Sequence, residues 1–512
     1  MKKVTLLTLF ITLITSVMAQ SMGFFEPYSN TWMRRPGIYG YPVGQDDNNL
    51  YFFVSPRAID AFKPKTWTDH VFTIDKNSLQ SSEITITAPN YFTFIDGLVS
   101  DNSIIALYYS YNKKGDNLIF SISNIDKSAK SVTIDDNNSV RTTSNPKFWP
   151  TFEYSKSPDG KLLAALVMIT GKNNQLENLF AVVVNDQGEF VWSGTITPDF
   201  GGKTFSIGDL TVDNEGNLYI PAYTCLMTGK NVSNVSFMVI KANADGTNSF
   251  TEEVNFGTPQ DFISKILKDG NLVIGGYYTD SKTNTSTKST GYFFYKFDTR
   301  SESFLDMQNA EFSDGYVEKE QWARFSNILG NQQYTIHADD IFELENGTLV
   351  LCGEHRFIKE IYNSQMHSYS YQHLTKNILV SKLLPDNSNK FTMIEKQQSC
   401  SMNSRAGDDW KPMSISYSAF AHGNDMYFLF NDDSHNIPYP GRGSVFGPSG
   451  LSFSKKGESV LMRLTPDQEL TQRILSDPNQ FLRGVEYTDG EYFYASGVGK
   501  SKFFFTKYSI NE

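Results

Sequence analysis

The chain has 512 residues, with 56 acidic and 45 basic side chains and a formal charge of −11 at pH 7. It contains no basic run that could neutralise a phosphate backbone, which argues against nucleic acid as a partner. Its three cysteines, Cys225, Cys352 and Cys400, allow at most one disulfide, and the sequence leaves open whether one forms. Disulfides therefore do not carry the fold.

The first predicted element is an export signal over residues 1–19. Lys2 and Lys3 precede an uncharged apolar run, and Val17 and Ala19 have the spacing that signal peptidase requires. The alternative, a retained membrane anchor, is disfavoured because the apolar run is shorter than the ~20 residues of a spanning helix. We expect cleavage near Ala19, no membrane insertion, and a chain that is secreted or held in the periplasm or cell envelope.

One phrase then recurs along the chain: a turn dipeptide, a polar residue and a run of apolar residues. Its eight copies begin at Asn48, Asn102, Gly160, Gly216, Gly270, Gly347, Asn424 and Gly490. The first apolar residues of successive copies are 54 to 77 residues apart. Periods of this size are typical of a four-stranded unit and too long for a helical hairpin.

Most copies are followed by a second apolar strand that ends in turn residues such as Asp-Gly or Pro-Asp. These strands begin at Val71, Leu179, Ser236, Tyr292, Ile378 and Val460. A short strand precedes each copy and another follows the second strand. The pattern predicts an antiparallel unit of four strands, A to D, joined by tight turns between A and B and between C and D.

This repeat resembles the β-propeller superfamily, and particularly secreted bacterial propellers with repeated turn-Gly-Asn-Leu strands. The resemblance implies an all-β fold of four-stranded antiparallel blades around a channel, in one domain over residues 20–512. Eight copies predict eight blades, or seven if one copy is degenerate. The last strand, from Lys502, has no outer strand after it, so we expect the segment from Met22 to close the ring. The fold class by itself implies no activity.

The connections on one rim of this fold are predicted to be long. The A–B and C–D turns are short, whereas residues 307–333, 357–376 and 432–457 are predicted to form long connections on the opposite rim. Long loops in a compact fold are more often functional than the elements they join. We therefore expect the functional site on the elaborated rim.

Five residues are candidates for catalysis at the channel mouth. They are His337, His355, Arg356, Tyr277 and Arg483. A histidine can act as a general base and an arginine can pair with a carboxylate, although polar residues at strand ends also commonly just face water. The spacing matches no metal motif, and no cofactor motif is present, so we expect neither a metal nor a cofactor.

Aromatic residues in or near the same connections are candidates for ligand binding. They are Trp149, Trp322, Tyr362, Tyr369, Tyr371, Trp410 and Tyr439. Tyrosine and tryptophan bury a large area at low entropic cost and dominate binding hot spots. Packing between neighbouring blades is the alternative role for each of them.

Two functional hypotheses follow from the sequence. The first is a secreted or envelope-associated propeller without catalytic activity that binds a protein or carbohydrate ligand through its long loops. The second is a polysaccharide lyase or hydrolase that acts on acidic glycans with His, Tyr and Arg at the channel mouth. The oligomeric state is left open.

Overall fold

The computed structural model describes the chain as a set of β-sheets. The description covers residues 21–25, 39–55, 66–89, 92–111, 118–134, 137–142, 151–170, 176–280, 289–312, 335–363, 368–402, 416–433, 445–447, 457–475, 480–499 and 502–510. Within these ranges there are 35 strands and no helix. The all-β class predicted from the sequence is therefore confirmed.

The strands form eight sheets of four or five strands, numbered 1 to 8 in chain order. Sheet 1 contains β2 (Tyr39–Gln45), β3 (Asn49–Ser55), β4 (Thr66–Asp75) and β5 (Ser81–Pro89), with β9 (Ser131–Thr133) on its outer edge. Sheet 2 contains β6 (Phe92–Val99), β7 (Ser103–Tyr111), β8 (Leu118–Asp126) and β10 (Ser139–Arg141). Sheet 3 contains β11 (Thr151–Lys156), β12 (Leu162–Thr170), β13 (Leu176–Asn185) and β14 (Phe190–Ile196). Sheet 4 contains β15 (Thr204–Ile207), β16 (Thr211–Val212), β17 (Leu218–Thr228), β18 (Asn231–Asn243) and β19 (Gly246–Glu253).

The second half of the chain repeats the arrangement. Sheet 5 contains β20 (Thr258–Ile266), β21 (Leu272–Thr279), β22 (Gly291–Asp298) and β23 (Ser303–Glu311). Sheet 6 contains β24 (Thr335–Glu343), β25 (Leu349–Asn363), β26 (Ser368–Leu383), β27 (Asn389–Met402) and β30 (Val445–Gly447). Sheet 7 contains β28 (Tyr417–His422), β29 (Asp425–Asp433), β31 (Gly457–Leu464) and β32 (Leu470–Ile474). Sheet 8 contains β33 (Gln480–Thr488), β34 (Tyr492–Gly499), β35 (Lys502–Ser509) and β1 (Ser21–Phe25).

The repeated phrase of the sequence forms the second strand of each sheet, from β3 to β34. The glycines at its turns have the left-handed backbone that a tight turn needs, as at Gly216 (φ 84°) and Gly347 (φ 80°). Neighbouring strands pair antiparallel, except that β9 and β30 add to the outer strands of sheets 1 and 6 in parallel. Four-stranded antiparallel sheets of this kind are consistent with a β-propeller.

Apolar side chains hold neighbouring sheets together. Each sheet shares buried hydrophobic clusters with the sheets before and after it in the chain, from sheet 1 to sheet 8. A further cluster joins the first sheet to the last, where the rings of Phe52 and Phe505 lie 4.4 Å apart. In sheet 8 the outer strand β1 pairs antiparallel with β35, with Gly23 opposite Phe505.

All three predicted long connections contain strand residues, and β30 lies within the third. Residues 307–311 continue β23, and most of residues 357–376 belong to the paired strands β25 and β26. The prediction of a loop over 357–376 was wrong, because alternating cross-strand pairs continue the sheet up to Asn363 and Ser368. Residues 312–333 and 432–457 lie partly outside the described residues, and the predicted signal 1–19 lies wholly outside them. Among the described residues, no helix is long and apolar enough to cross a membrane.

Candidate functional site

The site is built on the hairpin of β25 and β26. These strands have 15 and 16 residues, and their pairing extends well past the end of the inner strand β24, whose first residue Thr335 pairs with Arg356. The antiparallel register therefore places the start of β24 beside the middle of β25. The hairpin beyond this point extends past the end of β24, within residues 357–376, which the sequence predicted to form a long connection.

A buried group of charged side chains lies where the hairpin leaves the sheet. We call it the base network, and it comprises Asp339, Glu354, Arg356, Lys396 and Ser416. Glu354 is fully buried and accepts hydrogen bonds from Arg356 Nε at 3.0 Å, from Ser416 Oγ at 2.7 Å and from Lys396 Nζ. Arg356 Nη2 also pairs with Asp339. The two cations and two carboxylates thus neutralise one another inside the protein.

Two local irregularities of the backbone aim these side chains at one another. The register of β24 and β25 shifts between Ala338 and Asp340, which leaves Asp339 as an extra residue on the inner strand. A second shift separates Glu354 from Arg356 in the pairing of β25 with β26. Bulges of this kind redirect side chains and are common beside functional sites.

The energetics of the network follow from burial and charge. Burial lowers the pKa of Arg356, but the neighbouring carboxylates of Asp339 and Glu354 outweigh it and raise that pKa above its ordinary value. Burial also lowers the pKa of Lys396, against the opposing effect of Glu354. Arg356 and Lys396 therefore stay protonated inside the protein because the carboxylates of Asp339 and Glu354 lie beside them.

The network extends from sheet 6 into sheet 7. Lys396 Nζ donates hydrogen bonds to Thr375 Oγ1 at 3.1 Å and to Gln398 Oε1 at 3.0 Å. Gln398 Nε2 in turn donates to the carbonyl oxygen of Asn431 at 2.5 Å. These bonds attach the base of the hairpin to its neighbouring sheet.

Two of the catalytic candidates are buried close to this network. His355 alternates with Glu354 and Arg356 along β25 and is almost fully buried. Burial lowers the pKa of His355 to about 3, helped by the charges of Lys376 and Lys396. Tyr277 is also buried, and its hydroxyl lies 2.4 Å from where a Cβ on Gly353 would stand.

His337 is placed differently. Its Nδ1 lies 3.4 Å from Oδ2 of Asp261, on the inner strand of sheet 5. The same carboxylate oxygen accepts a hydrogen bond from the backbone N–H of Ala338 at 3.0 Å. His337 and Asp261 are both partly exposed, so this pair differs from the base network in its access to solvent.

The far end of the hairpin carries the exposed aromatic candidates. Tyr362 and Tyr369 face each other across the two strands, with ring centroids 4.9 Å apart and ring planes at 47°. Each is 51% exposed. Tyr371 pairs with Glu360 in the register and donates a hydrogen bond to its carboxylate at 3.4 Å. We call Glu360, Tyr362, Tyr369 and Tyr371 the tyrosine face.

The remaining candidates are not brought into this site by the structure. The backbone of Arg483 forms a bulge between Leu482 and Gly484 on the inner strand of sheet 8, and nothing is described of its side chain. Trp149, Trp322, Trp410 and Tyr439 lie outside the described residues. Cys225 and Cys352 are buried free thiols. The described ranges contain no group of three or more residues able to hold a metal ion.

Sequence reasoning missed several residues of the site. Asp261 directly follows a bulge on its inner strand, as Asp96 and Asp340 do on theirs, and this recurrence is visible only in the structure. Lys396 and Ser416 gave no such signal. They lie 42 and 62 residues from Glu354, on segments whose approach depends on the tertiary fold.

Comparisons with known proteins find distant structural similarity. No protein-family model and no curated protein sequence matches the chain. The structure of the Dos1 propeller has 9% identity and a TM-score of 0.42, covering 92% of this chain and 93% of that one. The WD40 domain of SCAP from fission yeast has 8% identity and a TM-score of 0.34, covering 93% and 98%. The polysaccharide lyase Uly1 has 11% identity and a TM-score of 0.34, covering 81% and 89%. Similarities this weak carry no argument about function.

Proposed function

We propose that the chain is an exported, eight-bladed β-propeller that binds a protein or glycan ligand on its elaborated rim and has no catalytic role of its own. Eight sheets in chain order, each packed on the next, support the blade count. The cluster between sheets 1 and 8 and the pairing of β1 with β35 support closure of the ring. The apolar run behind Lys2 and Lys3 supports export.

The observation that carries the binding proposal is the contrast within one hairpin. Tyr362 and Tyr369 are half exposed at its projecting end, on a backbone that remains paired up to Asn363 and Ser368. At its base, His355 is buried, and the side chain of Arg356 is only 11% exposed and paired with the carboxylates of Asp339 and Glu354. Rigid exposed aromatics suit recognition, whereas a buried and neutralised arginine cannot reach a substrate.

The binding proposal is tested by shortening the hairpin. Replacing residues 359–372 with Asn-Gly closes the strands at the paired residues Ile358 and His373. Intact and shortened proteins are applied to an array of purified neutral polysaccharides, acidic polysaccharides and extracellular matrix proteins. We expect the intact protein to bind a subset that the shortened protein loses while keeping its denaturation midpoint. Equal binding by both proteins, or binding by neither, would contradict the proposal.

Ring closure has its own test. A protein that begins at residue 26 lacks β1 and leaves the edge of β35 unpaired. We expect a lower denaturation midpoint and a tendency to associate, both relieved by adding a synthetic peptide of residues 20–26. An unchanged midpoint would contradict closure by β1.

A second candidate, a polysaccharide lyase or hydrolase, is favoured by the His337–Asp261 pair. A carboxylate beside a partly exposed imidazole can orient it as a general base. Lyase action predicts growth of the absorbance of an unsaturated uronate when the protein meets an acidic polysaccharide, and loss of that growth in His337→Gln. Hydrolase action predicts new reducing ends that the same substitution abolishes. No change in either signal across a panel of acidic polysaccharides would dismiss this candidate.

A further inference from the structure

The tyrosine face combines two half-exposed rings with a carboxylate and a hydroxyl. Residues 360, 362, 369 and 371 share one face of the hairpin, because directly paired residues and residues two apart point the same way. Resting on the binding function proposed above, we propose that the tyrosine face binds a neutral polysaccharide, in preference to an acidic glycan or a protein.

The size of the face favours a glycan over a protein. An aromatic side chain buries about 150–250 Å² when fully covered, and Tyr362 and Tyr369 are already about half covered. Among the side chains described on this hairpin, the two rings therefore offer roughly 200 Å², against about 800 Å² on each partner in a stable protein interface. A sugar ring needs only one aromatic face and a few hydrogen-bonding groups.

The polar groups beside the rings suit sugar hydroxyls. Glu360 is exposed and accepts the hydroxyl proton of Tyr371 at 3.4 Å, a long bond that a better donor can replace. When the C–H groups of a sugar pack on a tyrosine ring, the hydroxyls of that sugar can donate hydrogen bonds to a carboxylate beside the ring. The backbone pairing on either side holds these groups in place, so little order is lost on binding.

Charge favours a neutral glycan over an acidic one. Two cations at the base of this hairpin, Arg356 and Lys396, are largely buried against Asp339 and Glu354. Their charge is therefore unavailable to a uronate or sulfate. The exposed charge on the tyrosine face is the carboxylate of Glu360, and the whole chain carries a formal charge of −11. Both repel a polyanion.

The test is electrophoresis of the full-length mature protein through native gels that contain one polysaccharide each. The neutral probes are hydroxyethyl cellulose, xylan and galactomannan, and the acidic probes are alginate and polygalacturonate. The variants are Tyr362→Ala, Tyr369→Ala and, as the matched control, Ile361→Ala. Ile361 is 40% exposed on the opposite face of the same strand, so its loss changes the exposed apolar area without touching the tyrosine face.

We expect retardation in at least one neutral gel, weakened about tenfold or more by Tyr362→Ala and by Tyr369→Ala and unchanged by Ile361→Ala. Equal weakening by Ile361→Ala, or none by the tyrosine variants, would overturn the assignment to this face. Retardation in the acidic gels alone, if the tyrosine variants lose it, would overturn the proposal that the ligand is neutral. The hairpin would then remain a binding surface, but for an acidic glycan. Retardation in no gel would overturn the inference, and the array of intact and shortened proteins would then decide separately whether the hairpin binds a protein.

Discussion

The base network and the tyrosine face are both built around the hairpin of β25 and β26, yet their side chains differ in exposure to solvent. At the base, Glu354 and Lys396 are fully buried and bonded to one another. At the projecting end, Tyr362 and Tyr369 are half exposed. The difference comes from what covers each stretch, because sheet 7 packs over the base through Ser416 and Asn431. A charged or reactive side chain is therefore available to a ligand only where no neighbouring sheet covers it.

The largest effect that this comparison predicts is at the base. Lys396→Met removes one partner of a buried ion pair and leaves Glu354 with less compensation. We expect the free energy of unfolding to fall by about 3–5 kcal/mol, measured by chemical denaturation.

The control is an exposed ion pair between the inner strands of sheets 5 and 6. Lys265 lies 3.5 Å from Asp340, and both side chains are more than 40% exposed. Lys265→Met is expected to lower the free energy of unfolding by less than about 1 kcal/mol.

If Lys396→Met does not fold, the double variant Glu354→Leu/Lys396→Met removes both charges and is expected to recover most of the lost stability. Equal losses from Lys396→Met and Lys265→Met would mean that the base network is not a buried unit.

A smaller effect is expected where sheet 6 meets sheet 5. A Cβ on Gly353 would lie 2.4 Å from the hydroxyl of Tyr277 and 2.5 Å from the carbonyl oxygen of His337. We expect Gly353→Ala to lower the free energy of unfolding by about 1–3 kcal/mol through overpacking. Gly194→Ala on the outer strand β14, where a Cβ meets nothing within 4 Å, is the control. A neutral Gly353→Ala would show that Tyr277 is free to move away from the inner strands.

The pH dependence of stability should show the burial of His355. Its pKa is lowered to about 3 in the folded chain, against about 6.5 for an unperturbed histidine. Between these values the unfolded chain binds the extra proton, so stability falls as the pH falls. We expect His355 to account for about 1–2 kcal/mol of loss between about pH 6 and pH 4.5.

His355→Gln removes that contribution, so its free energy of unfolding should change less over the same interval, as measured by denaturation at each pH. His422→Gln, which replaces a half-buried histidine at the end of β28, is measured beside it as the matched substitution. An unchanged pH dependence in His355→Gln would contradict the burial of a neutral imidazole.

Local sequence patterns predicted the strands well and the site poorly. The eight turn-and-strand copies became β3, β7, β12, β17, β21, β25, β29 and β34, because turn glycines and apolar runs act locally. The hairpin over 357–376 was predicted as a loop, since its polar and aromatic alternation has no apolar face to signal a core. The partners of Glu354 could not be predicted, because Lys396 and Ser416 reach it only through the packing of sheets 6 and 7.

The central claim is that the tyrosine face contacts the ligand, whereas the base network stabilises the fold and does not contact the ligand. The most direct test measures both stability and retardation by a neutral polysaccharide in the same proteins. Tyr362→Ala/Tyr369→Ala is expected to stay within about 0.5 kcal/mol of the parent in stability and to lose retardation. The double variant Glu354→Leu/Lys396→Met, once folded, is expected to keep retardation. A folded base variant that loses binding while the tyrosine variant keeps it would contradict the account.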